Sequence, residues 1–334
     1  VGHRRAVEED GRGRLGRVAE GHRHAVPLTG ADARAGLVVG EPALVVGGDD
    51  GVQLLAGDRL LRAPRIFLNV GARAAVVYAS GFAEVGPDGV ALQQRLAAVA
   101  RETGVRVVGP NCQGFLYAPT GVVATFTAAA DRPLTSGSGV AYVGQSGAVG
   151  GSVLDLATDM GLGLAAWFST GNQVDLDLTE VSLHLLADPT VRVLMLYVEA
   201  TGDGAAYAEL ARRAQGAGKH LVVLRSGRSS AGRRAVASHT GSMLGDDVAF
   251  VLTSRRYGVV LVDDIDELLA VAAVLAAGKP AEGTRVAVVT TSGGAGSLAA
   301  DQCEDVGLQL PELSAATQAR LRPLIPPFGA LANP

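Results

Sequence analysis

A chain of 334 residues is long enough for two or three domains and too long for one small core. Its formal net charge is -4, and its basic residues are almost all Arg spread along the chain, with Lys only at Lys219 and Lys279, so there is no cationic stripe and no nucleic-acid partner is expected. The longest apolar runs (268–278 and 286–290) fall well short of the roughly 20 residues that cross a bilayer, and Cys112 and Cys303 have neither disulfide-framework nor metal-ligand spacing; no membrane partner is expected, and no signal sequence opens the chain, so the expected location is cytoplasmic.

The first seventy residues are dominated by Arg, Gly, Ala, Val and Asp, contain no Ser, Lys, Tyr or Met, and carry Phe67 as their only aromatic. Such a composition is poor material for a specific core, and the expectation is an atypical segment, mistranslated, misfolded or replaced. One piece, 36–55, has the pattern of a β-hairpin turning around Gly47–Gly51. No strand with a glycine-rich turn opens a helix there in the nucleotide-binding order.

From Ala74 onward, apolar strand-like runs alternate with amphipathic helical runs. Strands are expected at 74–79, 105–109, 140–144, 164–169, 191–199, 220–224 and 259–262. Helices are expected at 90–103, 148–160, 205–217, 246–257 and 265–276, with another before 191. A strand at 285–290 is expected to lead into a helix from Gly294. This alternation marks βα units around parallel sheets, hence an α/β fold. The turn-rich connections 133–139 and 277–283 are the expected boundaries, giving segments 1–70, 71–132, 140–278 and 284–334.

Ser238-His239-Thr240-Gly241-Ser242 lies in a small-residue loop after an expected strand, where a neutral imidazole is a competent phosphoryl acceptor, although a loop histidine also serves as a plain hydrogen-bonding residue. Val143-Gly144-Gln145-Ser146-Gly147-Ala148 follows a strand and opens a helix, so Ser146, Gly147 and Ala148 form either a phosphate cradle or an ordinary βα turn. The same stretch resembles a nucleophile elbow with Ala148 in place of the last glycine, the pattern of a serine hydrolase acting through Ser146. Glu199 closes a strand, where its carboxylate either orients an imidazole or is simply solvated. Cys112 reads as a nucleophile or as a packed small side chain.

The motifs Ser80-Gly81-Phe82, Gly109-Pro110-Asn111-Cys112, Gly144-Gln145-Ser146-Gly147, Ser169-Thr170-Gly171-Asn172, Gly227-Arg228-Ser229, Ser238-His239-Thr240-Gly241 and Thr291-Ser292-Gly293-Gly294 occur in this order. Together they resemble the ADP-forming (NDP-forming) acetyl-CoA synthetases, relatives of the succinyl-CoA synthetase α subunit, over residues 71–334. The resemblance implies a Rossmann-like CoA-binding domain with an atypical N-terminal part, followed by flavodoxin-like domains of the succinyl-CoA synthetase type, the last of them incomplete. It implies His239 as the phosphohistidine, Glu199 as its orienting carboxylate, and Ser146, Gly147 and Ala148 as the phosphate-binding helix start. It places Asn111 and Cys112 near the CoA thiol end, and Gly171, Asn172 and Asp175 near the acyl phosphate.

The implied reaction converts acyl-CoA, phosphate and ADP into acid, CoA and ATP. CoA is its substrate, and Mg²⁺ accompanies ADP or ATP on an ATP-grasp subunit or fused domain; no metal ligand is assigned within 1–334. Association into an oligomer is expected. The alternatives are a non-catalytic acyl-CoA-binding remnant or a regulatory module.

Overall fold

The computed structural model describes residues 43–48, 51–56, 73–133, 137–200, 202–234, 247–279 and 281–333. The rest of the first 72 residues and the loop bearing His239 lie outside them. The chain divides into two units, Val1–Ala277 and Gly278–Pro334.

The first unit holds two sheets. The smaller runs in the order β2-β1-β3-β4. Its strands β1 (Ala43–Gly48) and β2 (Gly51–Ala56) pair antiparallel with Gly48 opposite Gly51, the pairing that the pattern of 36–55 leads one to expect. Then β3 (Ala74–Val77), α1 (Pro87–Thr103) and β4 (Arg106–Val108) make one parallel βαβ unit. Helix α1 opens on a proline, whose missing N–H costs nothing there. It ends on Gly104 in the left-handed conformation, which donates to the Ala100 carbonyl. Leu96 and Ala100 bury its inner face against Ala75, Val77 and Val107.

The larger sheet runs β11-β10-β9-β7-β8-β5-β6. Five of its strands are parallel, namely β7 (Val140–Gly144), β8 (Leu164–Ser169), β9 (Val193–Val198), β10 (His220–Arg225) and β11 (Val260–Val262). These strands read as near-continuous Val, Leu, Ala and aromatic runs because both faces are covered. Leu194, Leu196, Leu221 and Val223 pack on one face with α3 (Leu178–Ala187), α4 (Gly204–Gly216) and α5 (Asp247–Arg256). Val193, Met195, Val222 and Leu224 face the other way, toward α2 (Gly147–Asp159) and α6 (Ile265–Ala276). The result is a three-layer α/β/α sandwich.

Two strands that periodicity leaves invisible extend this sheet. β5 (Gly114–Tyr117) pairs antiparallel with β8, and β6 (Val122–Thr125) pairs antiparallel with β5. Residues 114–125, counted in sequence with the preceding domain, thus bond into the sheet that follows. The two sheets are also tied directly, because the N–H groups of Asn172, Val174 and Leu176 donate to the carbonyls of Pro110, Gly109 and Val107.

Trp167 lies fully buried in β8, stacked on Tyr142, and its indole N–H donates to the Gly150 carbonyl at 2.8 Å. A Cβ on Gly150 would stand 3.0 Å from the indole, so a larger residue there would require the ring or α2 to give by a few tenths of an ångström.

In the second unit, α7 (Gly293–Asp305) is capped by Ser292 and α8 (Ala315–Leu321) by Ser314. The expected strand at 285–290 is not formed. Among the described residues it makes a single parallel bridge, Arg285 to Gln309, and Val289 is 96% exposed. A strand requires a continuous ladder, and alternating apolar residues do not create one alone. No described helix is long and apolar enough to cross a membrane.

Replacing Trp167 by Ala removes the largest fully buried side chain and is expected to lower the unfolding free energy by about 3–5 kcal/mol. Denaturant midpoints followed by circular dichroism check this; an unchanged midpoint would mean that α2 does not depend on the indole.

Candidate functional site

In chain order the five parallel strands are arranged 2-1-3-4-5, so the winding reverses between β7 and β9. In open α/β sheets, ligands bind in the crevice beyond the carboxyl ends of the strands at such a reversal. Here that crevice receives the turn 144–148 after β7 and residues 199–200 after β9. It opens into a cavity of about 540 Å³.

Ser146 caps α2 by accepting the Val149 N–H at 3.4 Å. Gly147 and Ala148 line the cavity, and their N–H groups, in the first turn, have no helical carbonyl to reach. They lend it partial positive charge and donors suited to an anion.

Gln145 holds the two strand ends together. Its Oε1 accepts from the N–H of Glu199 at 2.6 Å and of Ala200 at 2.9 Å, while Nε2 donates to the Ala200 carbonyl at 2.8 Å. Glu199 is 7% exposed and lines the cavity. Burial, and then this carboxylate, push the neighbouring Tyr197 phenol upward.

The opposite wall comes from the smaller sheet. The Asn111 amide donates to Asn172 Oδ1 at 3.3 Å, and the Asn172 amide donates to Glu84 at 2.5 Å and Gln93 at 3.0 Å. Glu84 also accepts from the N–H groups of Gly81 and Phe82. Burial alone would raise the Glu84 carboxyl, but these donors outweigh it and hold the group below its ordinary value. Gly171 makes the approach possible. Its φ is +58°, and an added Cβ would lie 2.2 Å from the Pro110 carbonyl oxygen.

The structure therefore brings Ser146, Gly147, Ala148, Asn111, Cys112, Gly171, Asn172 and Glu199 around one cavity. Asp175 is elsewhere. It accepts from the Val107 N–H at 2.7 Å and pairs with Arg106 at 3.0 Å, pinning the 172–176 segment to β4. His239 lies outside the described residues. The Cys112 thiol is buried against the Val77 carbonyl, and burial pushes it up to about 12, which leaves it protonated and packed. Glu84, Gln93 and Gln145 escape sequence inspection because isolated polar residues in a loop or on a helix face carry no apolar periodicity of their own; the one cue is the place of Gln145 inside a glycine motif.

Two outcomes follow from these environments. Iodoacetamide at about pH 8 is expected to alkylate the partly exposed Cys303 and leave Cys112 unmodified until unfolding; peptide mass spectrometry showing native Cys112 labelled as fast would contradict its burial. Because the folded Glu84 carboxyl titrates lower than the unfolded one, its stabilising contribution is full above the ordinary value of 4.5 and is lost as pH falls through the lowered folded value. Wild type is thus expected to exceed Glu84→Gln in stability at neutral pH, with the gap closing in acid, as followed by denaturation across pH.

Residues 137–275 match the succinyl-CoA ligase like flavodoxin domain, and residues 286–334 match the Ligase-CoA domain. The chain is 33% identical over 264 residues to the alpha subunit of the ADP-forming acetate–CoA ligase II of Pyrococcus furiosus, covering 79% of this chain and 56% of that protein. It is also 33% identical over 265 residues to a trans-feruloyl-CoA synthase of an unknown prokaryotic organism, covering 79% of this chain and 38% of that one. It spans about half the length of the first of these relatives and less of the second. A solved dinucleotide forming acetyl-coenzyme A synthetase of Ca. Korarchaeum cryptofilum, in complex with phosphate and ADP, superposes with a TM-score of 0.69 at 32% identity, over 83% of this chain and 59% of that chain. The ordered motifs, the reversed winding of the sheet and these likenesses converge, and the chain belongs to the NDP-forming acyl-CoA synthetase family.

Proposed function

We propose that this chain is the CoA-binding and phosphohistidine part of an NDP-forming acid–CoA ligase, its reaction taken in the direction that consumes acyl-CoA and makes ATP. The observation that carries the reading is the convergence of an anion-binding helix start, a buried carboxylate and the Asn111–Asn172 pair around one cavity at the reversal of the sheet. Inorganic phosphate, held by the N–H groups of Gly147 and Ala148, attacks the thioester of an acyl-CoA lying along Asn111 and Asn172. CoA departs and an acyl phosphate remains. The phosphoryl group then passes to His239, whose ring is oriented by Glu199; the P–O bond to the acyl group breaks, the free carboxylate leaves, and the phosphoryl group goes on from His239 to ADP.

Splitting the reaction this way makes each step a short transfer between positioned groups, with the α2 amides stabilising charge as it moves. Among the described residues no three His, Cys, Asp or Glu side chains converge to hold a metal. Mg²⁺ is assigned with the nucleotide to an ATP-grasp subunit or fused domain, where it neutralises phosphate charge. The relatives named above are an acetate–CoA ligase and a trans-feruloyl-CoA synthase, which supports a reading in which one such arrangement takes acids of different size.

The test is incubation of the chain, with its ATP-grasp partner, in radiolabelled phosphate, acyl-CoA and Mg²⁺. Acid-labile, base-stable label is expected on the chain, absent in His239→Ala and formed about 100-fold more slowly in Glu199→Gln. Absence of label from the wild type would leave a CoA-binding module without phosphoryl transfer.

A further inference from the structure

Tyr78 follows β3 and lines the same cavity as Asn111 and Asn172. Its ring is held without help from its hydroxyl. It meets Phe126 edge to face, with centroids 5.4 Å apart and planes at 88°, and its edge lies so close to Gly114 that a Cβ there would stand 2.8 Å from Cε1. A phenylalanine would pack equally well. The hydroxyl is nevertheless buried and has no hydrogen-bond partner among the described residues. Buried polar groups in native proteins are nearly always satisfied, and an orphan at a cavity wall calls for a ligand atom. Burial, and then the Cys112 thiol, push the phenol above its ordinary value, so it stays protonated and acts as a donor.

We propose that the Tyr78 hydroxyl donates its hydrogen bond to the thioester carbonyl oxygen of the bound acyl-CoA, and to the oxyanion that this oxygen becomes when phosphate attacks. The inference rests on the acid–CoA ligase reading and adds to it a residue that touches the reacting group. In the step, a phosphate oxygen forms a bond to the carbonyl carbon and the C=O electron pair moves onto oxygen. That pair then returns, the C–S bond breaks, and the sulfur leaves with its bonding pair to take up the proton released by phosphate. The charge on oxygen exists only between attack and departure, so a donor fixed at that position favours the transition state over the bound substrate. The aromatic pair Tyr78–Phe126 fixes that position, which is how a hydroxyl at the end of a long side chain keeps its aim.

The experiment uses the chain assembled with its ATP-grasp partner and compares wild type with Tyr78→Phe in two assays. In the first, phosphate-dependent release of CoA from acyl-CoA is expected to fall about 100-fold in kcat, with KM for phosphate unchanged. In the second, acyl-CoA is expected to bind the variant about tenfold more weakly. An S-alkyl-CoA, which has the same tail and no carbonyl, is expected to bind both proteins equally. Equal turnover by wild type and variant overturns the proposal and leaves the ligase reading standing. Equal loss of both CoA ligands also overturns it, because the hydroxyl would then be a structural group. A wild type that releases no CoA in the presence of phosphate sinks the ligase reading, and this proposal with it.

Discussion

The side-chain amide of Gln145 is the tie on which the cavity depends. It satisfies three backbone groups at the end of β9 from a residue at the end of β7, so the two strands that flank the reversal of the sheet finish in register. A helix start and a buried carboxylate contributed by different βα units then face each other. An apolar side chain at this position would leave the Glu199 and Ala200 N–H groups without their acceptor, at about 1–3 kcal/mol for each such group. It would also free the strand end that carries the carboxylate. The constraint is therefore one of placement, and the chemistry of the site follows from it.

The second wall is joined to the first by main chain. The segment 172–176 lies along β4 and the residues after it, bonded at alternate positions and locked by Asp175 onto Val107 and Arg106. Asn172 is thereby held beside Asn111 and Glu84, residues contributed by the smaller sheet and its following loops. The role of Asp175 is to fasten this edge, while its neighbours in the same turn border the cavity. Three residues separate Gly171 from Asp175, and a bend between them is enough to divide lining from fastening.

Much of the doubly wound sheet was legible in the residues. The strands β7, β9 and β10 are covered on both faces and so appear as unbroken apolar runs, and helix starts are marked by Ser146, Asp203 and Asp264, each of which accepts from a first-turn N–H. What escaped was whatever depends on partners distant in sequence. β5 and β6 are four residues each, β5 opening on Gly114 and the pair separated by a turn holding Pro119 and Gly121, and they exist because β8 offers an edge to pair with. The run 285–290 has the better strand composition and, among the described residues, forms a single bridge. In the site, Ser146, Asn111 and Asn172 were noticed because they sit in glycine-punctuated motifs. Glu84 and Gln93 occupy a loop and a helix face with no such marker, and only coordinates show that they meet Asn172.

The single tryptophan of the chain also has a consequence of its own. The Trp167 indole is dry and bonded to the carbonyl of Gly150, one turn into the helix whose first amides face the cavity. Its excited-state dipole therefore samples the electric field along that helix axis and almost nothing of the solvent. An anion settling on the amides changes this field at the ring, so the protein carries a built-in optical gauge of the charge in its own crevice.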